Sequence, residues 1–144
     1  MKWWAGECAK GDMIRIQIGA IYHYGVFVSE EEVIQFGAPP TDLLTRDSSA
    51  VRVCAATIDE FACGHMVEVA QLDRGEKRRR FSPDKTVALA RSRMGEGGYN
   101  LIHNNCEHFA YECVFGIKKS TQEEEMRQKF RARQAAGTPE DTDG

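Results

Sequence analysis

The chain has 144 residues, enough for one compact domain with a modest core. Hydrophobic residues make up 42% and charged residues 28%, ordinary for a globular protein, and a formal net charge of −3 gives no general attraction to nucleic acid. No stretch approaches the roughly 20 apolar residues of a membrane-spanning helix, Met1-Lys2-Trp3-Trp4 lacks a signal-peptide core, and five cysteines without a CxxC pair predict free thiols in a reducing cytoplasm.

Met13 to Ile18 alternates, with Ile14, Ile16 and Ile18 on one face and Arg15 and Gln17 on the other, which predicts a half-buried strand. Tyr22 to Val28 is aromatic and branched and predicts a second strand. Ser29-Glu30-Glu31-Glu32 is a polar connection, and Val33-Ile34-Gln35-Phe36 predicts a third strand in an antiparallel hairpin or meander. Gly37-Ala38-Pro39-Pro40 ends that run, because proline cannot donate to a ladder, and residues 41–50 read as loop. Val51 to Ala55 predicts another strand. Thr57-x-x-Glu60 has capping-box spacing and predicts a short helix over 58–63. Met66 to Ala70 predicts a further strand.

Arg74 and the run Lys77-Arg78-Arg79-Arg80 read as a solvated loop. Ser82-Pro83 supplies an N-cap and a first-turn proline for a helix that carries Val87, Leu89, Ala90 and Met94 and stops at Gly95. Tyr99 to Ile102 is an extended entry to a helix over 105–115. Its apolar face carries Cys106, Phe109, Ala110, Cys113 and Val114. Thr121-x-x-Glu124 opens a charged helix, and Ala136 to Gly144 is small, polar and acidic, the composition of a disordered tail. The predicted organisation is one α+β domain over 1–117, a charged helix over 118–135 and an acidic tail over 136–144.

The segment Asn104-Asn105-Cys106-Glu107-His108-Phe109 carries the chemistry. With Asn104 as N-cap, Cys106 is the second helical residue, and Glu107, the third, reaches back to the cap as in a capping box. First-turn N–H groups and the helix dipole then lower the thiol pKa and supply donors for an oxyanion. A packed core cysteine, like Cys113, is the open alternative. His23 is the candidate base. Gly25, on the same strand face, leaves room beside its imidazole, while Tyr22 and Tyr24 point to the opposite face. Gln35 is the candidate orienting partner, provided the hairpin register puts residues 23 and 35 on one face. Tyr22, Tyr24, Asn105, Glu107 and His108 complete the candidate site as substrate-contacting, oxyanion or supporting residues. Cys63-x-His65 and His103-x-x-Cys106 do not match a zinc-ligand spacing, so no metal and no cofactor is expected. His103 and His108 read as structural.

Gly11-Asp12-Met13-Ile14-Arg15, Tyr22-His23-Tyr24-Gly25-Val26-Phe27-Val28, Val33-Ile34-Gln35-Phe36 and Asn105-Cys106-Glu107-His108-Phe109 together resemble the lecithin:retinol acyltransferase family over about residues 10–116. The resemblance implies a circularly permuted papain-like or NlpC-like fold, an antiparallel sheet packed against helices that include the nucleophile helix. It implies Cys106 as nucleophile, His23 as general base, and acyl transfer from a phospholipid ester through a thioester to water, an amine or an alcohol. Animal members carry a second histidine near the position of Gln35, and many end in a membrane anchor. The compact, anchorless form here resembles bacterial members. The expected partner is an acyl-bearing lipid or small molecule, met by transient contact with a membrane surface. An amidase or peptidase of the same superfamily, and a binding module that keeps the fold without turnover, are the alternative functions; Gln35 and the charged C-terminal helix motivate the second.

Overall fold

The structure, a computed structural model, describes residues 1–39, 42, 47–100 and 105–117. The helix expected from Thr121, the acidic tail, His103 and Asn104 lie outside the described residues. The strands are β1 (Lys2–Trp4), β2 (Met13–Ile18), β3 (Ile21–Ser29), β4 (Glu32–Phe36), β5 (Val53–Ala56) and β6 (Glu68–Gln71). The helices are α1 (Ile58–Ala62), α2 (Arg74–Arg79), α3 (Pro83–Ser92) and α4 (Cys106–Phe115), and a 3-10 turn spans Ser48–Ala50 within the segment read as loop.

All six strands join one antiparallel sheet in the order β1-β6-β2-β3-β4-β5. The β2–β3 hairpin closes on Gly19-Ala20, with Ile18 opposite Ile21 and Gly19 at φ +61°, a left-handed position that glycine takes without Cβ strain. Strand alternation sends the two sides of β3 into two cores. Tyr24 and Val26 join Met13, Ile34, Phe36 and Val53 beneath Phe109, Ala110 and Cys113 of α4. On the other side Phe27 joins Ile14, Ile16, Val33 and Val69 around Phe61 of α1. Phe61 is fully buried; removing such a side chain from water contributes on the order of 2–3 kcal/mol.

Two elements differ from the sequence expectation. The basic run is helix α2 rather than loop. Asp73 accepts from the Glu76 N–H at 2.8 Å while Glu76 accepts from the Asp73 N–H at 2.9 Å, a reciprocal cap that starts the turn. Lys77, Arg78 and Arg79 occupy its last turn, where they complement the helix dipole. At the other end of the chain, Lys2–Trp4 adds a strand to the sheet edge through β6. Its Trp3 ring lies 4.2 Å from the Arg15 guanidinium, which also stacks 4.0 Å from the Tyr22 ring and donates through Nε to Glu68 at 2.9 Å. The cation therefore ties β1, β2, β3 and β6 on one face.

Candidate active site

Helix α4 opens one residue later than the double asparagine suggests. Asn105, not Asn104, is the N-cap: its Oδ1 accepts from the N–H groups of Glu107 at 3.0 Å and His108 at 3.1 Å. The reach-back comes from His108, not Glu107. Asn105 N–H donates to His108 Nδ1 at 3.1 Å, so that nitrogen carries the lone pair. Both asparagines are competent caps, and the imidazole three residues beyond Asn105 decides between them. Gly116, at φ +75°, closes the helix. Replacing Asn105 by Ala leaves two first-turn donors without their acceptor and is expected to cost about 1–2 kcal/mol in a urea titration, with Asp largely restoring the midpoint.

Cys106 is thus the first helical residue, and its side chain is buried. It meets the sheet where the β3–β4 ladder ends, at Gly25 opposite Gln35. Tyr24, the next residue of β3, points its main-chain N–H at the sulfur. The expected depression of the thiol pKa is corrected by the structure. Burial dominates and pushes the thiol up to about 11; the Tyr24 N–H and the first-turn N–H groups act against that, and the Glu107 carboxylate adds to it. Spacing reveals the dipole but not the desolvation, which has the larger effect.

His23 is fully buried on the Phe61 face of β3, its ring centroid 5.2 Å from that of Phe61. Gly25 does not leave open room there, as a Cβ would lie 2.7 Å from Phe61 Cε1; the space belongs to that ring. His23 Nε2 and Gln35 Oε1 are 2.8 Å apart, and Gln35 is itself buried. The register meets the condition set by the sequence: with Gly25 opposite Gln35, residues 23 and 35 are diagonal neighbours on one face. His23 Nδ1 is buried with no hydrogen-bond partner, so no hydrogen bond joins it to the Cys106 sulfur. Burial pushes the imidazole down to about 4, against the opposing influence of the Gln35 hydrogen bond and the Asp42 charge. Thiol and imidazole are therefore both neutral near pH 7.

The remaining candidates divide. Tyr24 belongs to the Cys106 side; burial and then the Glu107 carboxylate raise its phenol pKa, with Arg15 opposing. Tyr22 lies on that side as well, 6.4 Å from Tyr24 between ring centroids, and stacks on Arg15. Glu107 and His108 are buried in the first turn of α4, and His108 has the structural role expected of it. His65 is exposed at the end of α1, where Nδ1 lies 3.2 Å from Ala62 O. All five cysteines are free. Sequence reasoning missed the Tyr24 main-chain donor, because a backbone group leaves no mark in side-chain spacing.

These features define an α+β protein in which a buried cysteine opens a helix laid on one face of an antiparallel sheet, while a buried histidine of β3 sits on the other, Phe61 face. The sequence profile of the family described as lecithin retinol acyltransferase matches residues 6–119, and the chain belongs to that family. Lecithin retinol acyltransferase of Mus musculus is 25% identical over 135 residues, which cover 81% of this chain and 58% of that protein. The proteins of the same name from Bos taurus and Homo sapiens are each 24% identical, over 131 and 135 residues, covering 78% and 81% of this chain and 57% and 59% of theirs. The chain spans less than two thirds of the length of these relatives. Among the described residues, no helix is long and apolar enough to cross a membrane.

Proposed function

We propose that the chain is a thiol-dependent acyltransferase or acyl hydrolase of the circularly permuted papain-like type. In this reading Cys106 is the nucleophile and His23 the general base. The observation that carries it is a buried histidine on β3 whose Nε2 is held by Gln35 while Nδ1 is left unbonded, on the same strand whose Tyr24 N–H faces the buried helix-start thiol.

The neutral resting pair favours proton transfer concerted with attack over a preformed ion pair. The step requires His23 Nδ1 to come within reach of the sulfur from its resting place on the Phe61 face of β3; there it takes the thiol proton as sulfur adds to the ester carbonyl. The tetrahedral oxyanion collapses to a Cys106 thioester, and the Nδ1 proton passes to the departing alkoxide. Water or an acceptor alcohol or amine then attacks the thioester, with Nδ1 as base again. Asn105 commits the Glu107 and His108 N–H groups to the cap, which leaves the Cys106 and Tyr24 N–H groups as the oxyanion donors beside the sulfur. The donor is an acyl-bearing lipid or small ester, in keeping with the names of the relatives, and is met at a membrane surface.

Exposure to a short-chain phosphatidylcholine or an activated ester should add one acyl mass to the protein, mapped to Cys106. Cys106→Ala should carry none; equal labelling of that variant sinks the assignment. A binding module with little turnover is the second reading, favoured by the protonated thiol and the absence of a resting Cys106–His23 hydrogen bond.

A further inference from the structure

Gln35 has a second neighbour. It sits opposite Cys54 in the β4–β5 ladder, so the two side chains leave the same face at close range. Gln35 Nε2 donates toward Cys54 Sγ at 3.8 Å, while the other end of the same amide, Oε1, lies 2.8 Å from His23 Nε2. An amide oxygen only accepts, so His23 Nε2 carries the ring proton and Nδ1 the lone pair. Turning the amide over would place its NH₂ on His23, make Nε2 the acceptor and move the proton to Nδ1. A ring in that state cannot take a proton from the thiol.

We propose that Cys54 is a positioning residue: its sulfur fixes the direction of the Gln35 amide and thereby holds His23 in the Nε2–H tautomer. The inference rests on the proposed role of His23 and deepens it. Cys54 touches neither the thiol nor a substrate; it acts from one strand beyond Gln35, across the sequence β3-β4-β5. Cys54 is half-buried, whereas the Gln35 amide it contacts is buried.

The test is the histidine ring spectrum of the full ¹⁵N-labelled chain at neutral pH. In the wild type, His23 should show a protonated Nε2 and a bare Nδ1. Cys54→Ala should bring in the second tautomer and slow Cys106 acylation roughly fivefold at unchanged KM, about what one neutral hydrogen bond is worth. Cys54→Ser, whose hydroxyl can accept from the amide, should restore both. A wild-type ring protonated on Nδ1 overturns the proposal without any variant. So does a Cys54→Ala spectrum identical to the wild type, or, if that variant does not fold, a Cys54→Val spectrum identical to it. A tautomer that shifts as expected in a protein never acylated at Cys106 would uphold the positioning role and refute the acyl-transfer reading, so the two fail separately.

Discussion

His23→Gln is expected to slow acylation of Cys106 on the order of a thousandfold while leaving the protein folded. The glutamine amide can still donate to Gln35 Oε1, so the buried hydrogen bond at 2.8 Å has a replacement donor. What it lacks is a basic nitrogen at the position of Nδ1. General-base assistance is worth about 10²–10⁴-fold when the base is correctly placed. It matters more here because the thiol, pushed up to about 11, offers almost no thiolate at neutral pH. The measurement is the single-turnover rate of adduct formation by mass spectrometry. A rate within twofold of the wild type removes His23 from the mechanism.

The second large effect is on stability in acid. Burial lowers the His23 pKa from 6.5 to about 4. Above pH 6.5 the ring is neutral in both folded and unfolded chains and contributes nothing. As pH falls below 6.5, the unfolded chain takes up a proton that the folded chain refuses until about pH 4. The unfolded state binds more protons throughout that window, so stability falls as pH falls, by about 3 kcal/mol in all. Asp12 acts in the opposite direction, since burial raises its carboxyl pKa. Comparison with His23→Gln isolates the imidazole. Denaturant midpoints of the wild type should drop between pH 7 and pH 4.5 more steeply than those of the variant. Parallel slopes would show that His23 takes up its proton as easily in the folded chain as in the unfolded one.

The elements with strict periodicity were legible in the sequence. Ile14, Ile16 and Ile18 mark β2, and Ser82-Pro83 marks the start of α3, because both signals are local. The short β1 was not legible: three residues carry no period, and only pairing with β6 makes them a strand. Helix α2 carries a legible signal, since Asp73-x-x-Glu76 has the same spacing as the cap of α1, although the cationic run that follows has the composition of a solvated loop. In the site, the pairing of His23 with Gln35 followed from period-two geometry once the hairpin register was assumed. The space beside Gly25 is not readable from its own strand, because its occupant, Phe61, arrives from α1, two strands further along the chain. The thiol shift is not legible in the motif, because a helix start and a buried position push in opposite directions, and burial is a property of the whole fold.

The end of the β3–β4 ladder has a consequence beyond chemistry. Past Gly25 and Gln35 the strands part, and a bare strand edge is the kind of surface on which another chain can pair. Here α4 packs against both strands, with the Tyr24 N–H directed at the Cys106 sulfur. The same atom proposed to attack the ester therefore also faces a main-chain amide of the sheet. An alanine at position 106 disarms the chemistry but also removes the polar atom that faces that amide, whereas a serine retains one. The serine variant is therefore the better reference for any experiment that compares the folded behaviour of active and inactive protein.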